Sequence, residues 1–381
     1  DLKFFRPFGA IRYSLFAILY SLFAILYSLC SQMRWLLLLV PVAIGVTVFA
    51  PDSPLLVFVT CVLALVPLAA LLGEATEHVA AHVGSSIGGL LNATFGNLAE
   101  LIILTAMLSR GLYEIVLAGI LGAILVNAML ASGLSMFVGG IRSHVQEYNR
   151  ESSRDMATLL GLAVFGLAVI SVLDLRLTET STNVHDSHGT PIIAGMLFFG
   201  YILYLLYSMY THKDLFQSRR EPEEEDTWSL KKGLLVLLGV TVFVVWLSET
   251  LSGAVESVVA TAGLSEAFVG AVVIAIIGGA AEMASAIRAA GKNRLDLALS
   301  ISMGASVQIA LFVAPVLVFA SYFVGSKPLD LVFKPQAVIL LFFSVIIMAQ
   351  LSSDGRSTWF KGALLLIVYA ILATAIYLMP S

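Results

Sequence analysis

The chain has 381 residues, of which 59% are hydrophobic and only 12% are charged, with a formal net charge of −4. A water-soluble domain needs about 25% charged residues to cover its surface, so this composition excludes an ordinary soluble protein and predicts a multi-pass membrane protein. The small net charge gives no indication of a nucleic-acid partner, and two cysteines in apolar runs predict no disulfide framework.

Apolar runs long enough to cross a bilayer follow one another along the chain. The first, 13–31, contains a duplicated heptad that starts at Tyr13 and again at Tyr20, and Met33 is a candidate natural start. We therefore treat 1–32 as an appended segment outside the functional core. About eleven predicted transmembrane helices follow, at 34–50, 54–73, 86–108, 112–139, 156–173, 191–210, 231–251, 266–287, 297–324, 336–351 and 361–379.

Basic residues in the predicted loops set the orientation. If Arg34 is cytoplasmic, fourteen Lys and Arg residues fall in cytoplasmic loops and four in external loops, as the positive-inside rule requires. The longest cytoplasmic connection contains the acidic run 221–226, which we interpret as a solvated linker, with a cation-sensing segment as the alternative. The predicted parts are 1–32, a first helix at 33–53, a five-helix group at 54–210, the linker 211–230, and a second five-helix group at 231–381.

The two groups are related by an internal repeat. A shift of 182 residues aligns 74–123 with 256–305 without a gap. Because each group has an odd number of helices, the second enters the membrane inverted, and inverted repeats place a transport site near the midplane. The predicted fold is all-α, with a first helix and two inverted five-helix repeats. The aligned pairs include Glu74 with Glu256, Gly88 with Gly270, Gly96 with Gly278, Glu100 with Glu282, and Gly122 with Gly304.

Two acids lie in the middle of predicted spans, Glu100 and Glu282. An ionised carboxylate at that depth costs about 2.5–3.5 kcal/mol even on a lenient scale, so it indicates function. The repeat predicts that the two face each other across a pseudo-two-fold axis. Two such carboxylates cannot both stay charged and unpaired in a low dielectric. They must hold a divalent cation or take up protons, and exclusion between these states is proton/cation antiport.

Oxygen ligands surround both acids in the sequence. Asn97 shares a helix face with Glu100, and Ser285 shares one with Glu282. Gly96 and Gly278–Gly279 weaken the helices at the same depth and predict interruptions that line a cavity. Carboxylate, amide and carbonyl oxygens suit Ca²⁺ better than Mg²⁺, and the absence of nearby Cys or His disfavours softer metals.

Further polar residues are candidates for supporting roles. Asn127 on one neighbouring helix, and Ser306 and Gln308 on its repeat counterpart, are predicted to orient the glutamates or add oxygens. Helix packing is an equally good explanation for each of these three alone. Glu74 and its repeat mate Glu256 are candidates for relaying ions between water and the centre.

The segment Gly88–Ile103, with Glu77 before it and Gly304–Pro315 after the second repeat, resembles the Ca²⁺/H⁺ antiporter (cation/proton exchanger) family of the cation/Ca²⁺ exchanger superfamily. The resemblance implies eleven helices, Ca²⁺ bound between the two repeat glutamates, exchange driven by a proton gradient, and an acidic segment between the halves. This chain has Gly279 where that family typically has Asn, and Met283 where it often has His. Mn²⁺ or another divalent ion is therefore an alternative cargo.

The sequence thus predicts a secondary antiporter that exchanges Ca²⁺ for protons, with Glu100, Glu282 and Asn97 as cation ligands and the two glutamates as the proton-coupling groups. Ca²⁺ is transported, and no resident cofactor, nucleic acid or enzyme activity is expected. The predicted location is a prokaryotic cell membrane, or a vacuolar-type membrane in a eukaryote, and the sequence gives no oligomeric state.

Three alternatives stay open. A Na⁺-coupled exchanger should carry more hydroxyl and acid groups beside the glutamates, where this chain has Leu98, Ala99, Ala280 and Ala281. A passive cation channel has no need of an inverted repeat. An intramembrane metalloprotease would need a zinc-binding His-Glu-x-x-His pattern, which the sequence lacks.

Overall fold

The computed structural model describes residues 33–83, 85–180, 189–212 and 228–379. The predicted appended segment 1–32 and the acidic run 221–226 lie outside these residues. The described chain is helical apart from two short strands, so the predicted all-α membrane fold is confirmed.

After a turn at Met33–Leu36, the helices of the first half follow one another through the bundle. Proline occupies the first turn of the second helix, where its missing N–H costs nothing. The helices are α1 (Leu39–Phe49), α2 (Pro54–Ala80), α3 (Ser85–Phe95), α4 (Leu98–Ser109), α5 (Tyr113–Ser143), α6 (Arg150–Thr180) and α7 (Gly189–Thr211).

The second half repeats this pattern after the linker. Ser229 caps its first helix by accepting from the Lys232 amide, and Gly263 ends that helix at a φ of 65° that favours glycine. The helices are α8 (Leu230–Ala262), α9 (Glu266–Gly278), α10 (Ala280–Gly291), α11 (Leu295–Val324), α12 (Pro335–Leu351) and α13 (Trp359–Leu378).

Eight helices within the described residues are long and apolar enough to cross a membrane, and the bent pair α9–α10 makes nine. Two shorter apolar helices, α1 and α12, occupy the positions of the remaining predicted spans. The multi-pass architecture is therefore confirmed, while the count of eleven membrane crossings stays a prediction.

Helices α5 and α11 meet at the centre of the bundle. The Ser306 hydroxyl donates to the Ile124 carbonyl at 3.2 Å, and these residues are 182 positions apart, so equivalent positions of the two repeats touch. Both helices widen into a π-helical turn at matching places, Val126–Ala131 and Ile309–Val313. Such turns are frequent at functional sites, and these two flank the glutamate-bearing helices.

A short two-stranded sheet joins the two halves at the predicted cytoplasmic end. Strand β1 (Gln146–Glu147) pairs antiparallel with β2 (Arg356–Ser357). Beside it, partial burial tends to raise the pKa of Asp354, but the Lys361 ammonium 2.5 Å away outweighs that effect and the pKa is lowered. This end of the bundle is thereby held together by contacts between loops of both repeats.

Candidate cation site

Both glutamate-bearing spans are interrupted where the glycines predict it. The break between α3 and α4 falls at Gly96–Asn97, and the break between α9 and α10 falls at Gly279 with a bend of 56°. Glu100 and Glu282 are each the third residue of the helix that follows the break. The positive end of each helix dipole is thus directed at the centre and favours the ionised carboxylate.

Each glutamate lies against the glycine of the other repeat. A Cβ placed on Gly278 would come within 2.7 Å of the Glu100 Cγ, and one on Gly96 would lie 3.9 Å from the Glu282 Oε1. Because Gly96 and Gly278 are repeat mates, the contact is reciprocal. The two carboxylates therefore converge from opposite repeats on one central region, as the shift of 182 residues predicts.

Five side-chain oxygens at this centre have no hydrogen-bond donor within the described part of the chain: both oxygens of Glu100, Oε2 of Glu282, Oδ1 of Asn97 and Oδ1 of Asn127. Glu100, Asn97 and Asn127 are at most 3% exposed. A buried acceptor without a donor costs the full desolvation penalty of that group, so a cation or protons would stabilise this cluster. Carboxylate and amide oxygens are hard ligands that suit Ca²⁺.

The site differs from a dedicated metal centre. Within the described residues no group of three or more His, Cys, Asp or Glu side chains is placed to hold a metal ion. Two carboxylates converge here, and the other donor-free oxygens of the cluster are neutral amides. The two ionised carboxylates together carry a charge of −2, which one divalent cation or two protons would neutralise.

The amides are arranged differently in the two halves. Asn97 donates from Nδ2 to the Gln308 Oε1 at 2.5 Å, which leaves the Asn97 Oδ1 toward the centre. On the other side a Cβ on Gly279 would lie 3.4 Å and 3.5 Å from the Asn127 Nδ2 and Oδ1. Asn127 therefore borders the space that an Asn side chain at position 279 would enter, and Nδ2 of Asn127 is held by the Ala123 carbonyl.

A cavity of about 330 Å³ leads to Glu282 from one end of the molecule. Its wall includes Glu77 on α2, Asn92 on α3, Ser285 on α10, and Gly304 on α11. These residues lie toward the ends that the basic loops assign to the cytoplasm. Glu282 is half-buried and borders this cavity, whereas Glu100 is buried behind it.

The remaining predicted residues take various places. Gln308 and Ser285 line the cavity, and Ser285 accepts a hydrogen bond from Arg288 at 3.0 Å. Ser306 bonds to the Ile124 and Ser302 carbonyls, so it joins helices and does not orient a glutamate.

The two predicted relay acids are not in the cavity wall. Glu74 is paired with His78 at 4.0 Å, and Glu256 is exposed near the far end of α8. The carboxylate that does border the cavity is Glu77, one turn from Glu74. Sequence reasoning missed that role, although Glu77 belongs to the motif that carried the family resemblance.

Comparison with known proteins gives concordant findings. Residues 53–210 and 232–378 match the family described as sodium/calcium exchanger protein. The chain is 39% identical to the Ca²⁺/H⁺ antiporter ChaA of Bacillus subtilis (strain 168), over 89% of this chain and 97% of that protein. It is 35% identical to the vacuolar calcium ion transporter of Schizosaccharomyces pombe, over 85% of this chain and 80% of that protein. The solved structure of native YfkE superposes with a TM-score of 0.76 at 34% identity, covering 90% of this chain and all of that one.

Proposed function

The chain belongs to the sodium/calcium exchanger protein family, and we propose that it is an antiporter that exchanges Ca²⁺ for protons across its membrane. The resemblance to Ca²⁺/H⁺ antiporters inferred from the repeat motifs is confirmed, since relatives that cover most of the chain bear that name. These relatives are named as transporters and exchangers, in agreement with the prediction of a carrier rather than an enzyme.

The observation that carries the proposal is the cluster of five donor-free oxygens between the repeats. With both carboxylates ionised, Glu100 and Glu282 hold one Ca²⁺, and the Asn97 and Asn127 amide oxygens complete its coordination. With a proton on each carboxyl group, the same cluster is neutral and has no charge with which to retain the cation. Ca²⁺ and protons therefore exclude each other, and the loaded site has the same net charge in both forms.

Access to the site is proposed to alternate between the two ends of the bundle. In the present state the cavity reaches Glu282 from the predicted cytoplasmic end, so Ca²⁺ is captured from that side. Exchange requires the inner cavity to close and an equivalent path to open at the other end. The reciprocal contacts of Glu100 with Gly278 and of Glu282 with Gly96 allow one site to serve both paths.

The direct test is ⁴⁵Ca²⁺ uptake by proteoliposomes that contain the purified full-length chain. Uptake should follow an imposed pH gradient with the interior acidic, and a protonophore should abolish it. Uptake that follows the membrane potential without proton movement would instead indicate a channel. Uptake that requires a Na⁺ gradient would indicate the Na⁺-coupled alternative.

A further inference from the structure

Several polar residues of the inner cavity have apolar repeat mates. Besides Tyr204, Ser208 and the central Glu282, five polar side chains line it: Glu77, Asn92, Ser285, Ser300 and Gln308. At a shift of 182 residues the corresponding positions hold Val259, Ile274, Ile103, Ala118 and Val126, in that order. Each substitution changes a polar residue to an aliphatic one, so the difference is systematic across helices.

In the structure these mates form packed apolar surface. Ile274, Ile103 and Val126 are at most 2% exposed, and Val259 packs partly buried against the same core. If the repeats exchange conformations when access alternates, these side chains line the outer route. An outer route of this composition offers a departing cation no oxygen ligands from these five side chains.

Among these five pairs of repeat mates, only the pair of Glu77 with Val259 differs in charge. Helices α2 and α10 are in contact where a Cβ on Gly73 would lie 3.0 Å from the Ala281 Cβ. Glu77 lies one turn from Gly73, and Ser285 lies one turn from Ala281, and both line the same cavity beyond that contact. Glu77 is exposed, and it lines the same cavity as Glu282.

A carboxylate in the wall of a cleft with low-dielectric walls raises the local concentration of cations and their rate of entry, by about tenfold at the low end of the usual range. Valine at the equivalent outer position has no such effect. The central site therefore fills more readily from the inner side than from the outer side, although both routes lead to the same pair of glutamates.

We propose that Glu77, set against Val259 in the other repeat, gives the site a higher apparent Ca²⁺ affinity at the cytoplasmic face than at the outer face. The protein is thereby biased toward capturing cations inside and releasing them outside. This inference rests on the proposed exchange function and concerns its sidedness.

The test is the half-saturating Ca²⁺ concentration at each face. Inside-out membrane vesicles present the cytoplasmic face to the medium, and right-side-out vesicles present the outer face; both are loaded acidic inside. The wild-type chain should half-saturate at lower Ca²⁺ in inside-out vesicles. Glu77→Gln should raise that value by about tenfold without changing the value for right-side-out vesicles. The effect should shrink as ionic strength rises, because salt screens the exposed carboxylate.

Two further variants complete the experiment. Val259→Glu should lower the half-saturating Ca²⁺ in right-side-out vesicles; if this variant does not reach the membrane, Glu77→Gln alone decides. Glu151→Gln removes an exposed carboxylate at the start of α6 that does not line the cavity, and should change neither value.

Equal half-saturation at the two faces of the wild type, or an equal shift at both faces in Glu77→Gln, would overturn the inference while leaving exchange intact. Absence of pH-driven Ca²⁺ flux in both vesicle types would instead overturn the proposed function itself.

Discussion

At the predicted outer end of the molecule α5 and α9 pack backbone to backbone, whereas their repeat equivalents α11 and α3 stand apart on either side of the cavity at the predicted cytoplasmic end. A methyl group on Gly122 would overlap the Ala271 backbone, and one on Gly270 would lie 2.7 Å from the Ala118 Cβ. Gly304, the repeat mate of Gly122, lines the cavity, and a methyl group placed there would meet, apart from the adjoining backbone of its own helix, no atom of the described residues within 4 Å. Glycine at equivalent positions of the two repeats thus lies in a closed helix contact in one half and faces open space in the other.

Equivalent parts of the two repeats thus take two packing states in one structure, one closed and one open. Glycines at equivalent positions allow either pair of helices to approach closely, and in this structure one pair does so while the other does not. Closing both ends would occlude the central oxygens, and opening both would make a pore. Four experiments test this asymmetry between the two halves.

The largest effect is expected from the central acids. Glu100→Gln and Glu282→Gln should each abolish pH-driven Ca²⁺ exchange, because glutamine keeps the volume but cannot trade a proton for a cation. Both should be equally damaging although only Glu282 borders the open cavity. The measurement is ⁴⁵Ca²⁺ flux in proteoliposomes, with Glu151→Gln as the folded control. Wild-type Ca²⁺ flux in either variant would show that Glu100 and Glu282 do not form one shared transport site.

The next effect is the pH dependence of binding. Ca²⁺ requires both carboxylates ionised, so affinity is lost as pH falls and the protons bind, and it is gained as pH rises until both are ionised. Where both are protonated, affinity should change by about 100-fold per pH unit. Calorimetry in buffers of different ionisation enthalpy should count about two protons released per Ca²⁺. Glu100→Gln lacks one of the two required carboxylates, so it should not retain Ca²⁺ and should release no protons on addition of Ca²⁺. A count near zero in the wild type would rule out competition at this site.

A smaller effect should follow from blocking closure of the inner half. The Cβ of Gly304→Val has open space in the present state but would overlap a neighbouring helix on closure, as a Cβ on Gly122 would at the other end. Overpacking of this kind costs about 1–3 kcal/mol, which corresponds to about 5- to 150-fold in the closed population. Exchange should slow accordingly.

The same variant has a structural readout. A cysteine at Ser300 in the cavity wall should react faster with an impermeant maleimide from the cytoplasmic side when Gly304→Val is present. Gly239→Val is the matched control. A methyl group on Gly239 would likewise meet no described atom within 4 Å outside the adjoining backbone of its own helix, but this glycine lies exposed on α8. Unaltered exchange in Gly304→Val would mean that closing the inner end does not bring α11 against a neighbour.

The smallest effect concerns the asymmetric amide. Gly279→Asn adds an oxygen beside Asn127 and should shift the competition of Mn²⁺ against Ca²⁺ by about 2- to 10-fold, the range of one hydrogen-bond-sized interaction. Gly279→Ala adds the Cβ without the oxygen and should leave selectivity close to wild type. Identical competition curves for the Asn variant and the wild type would show that position 279 does not face the ion.

The sequence predicts the membrane fold and the central acids because their physical signals are local. Long, nearly uncharged apolar runs are stable mainly inside a bilayer. A carboxylate in the middle of such a run has a high free-energy cost and therefore indicates a functional site. The ungapped match of Glu100 with Glu282 adds the inverted symmetry. The glycines beside them also predict the helix breaks, since glycine disfavours a helix interior.

The tertiary structure decides which polar groups meet and which end is open. Asn97 bonds to Gln308 across 211 positions, Asn127 borders Gly279, and Glu77 rather than Glu74 lines the cavity. Each of these contacts depends on which helix faces pack together, and that choice is not encoded in the spacing along one helix. The sequence also does not predict which half is open, because both repeats carry glycine at the position of close helix approach, Gly122 in one and Gly304 in the other. Only the packing of all helices selects the half that closes.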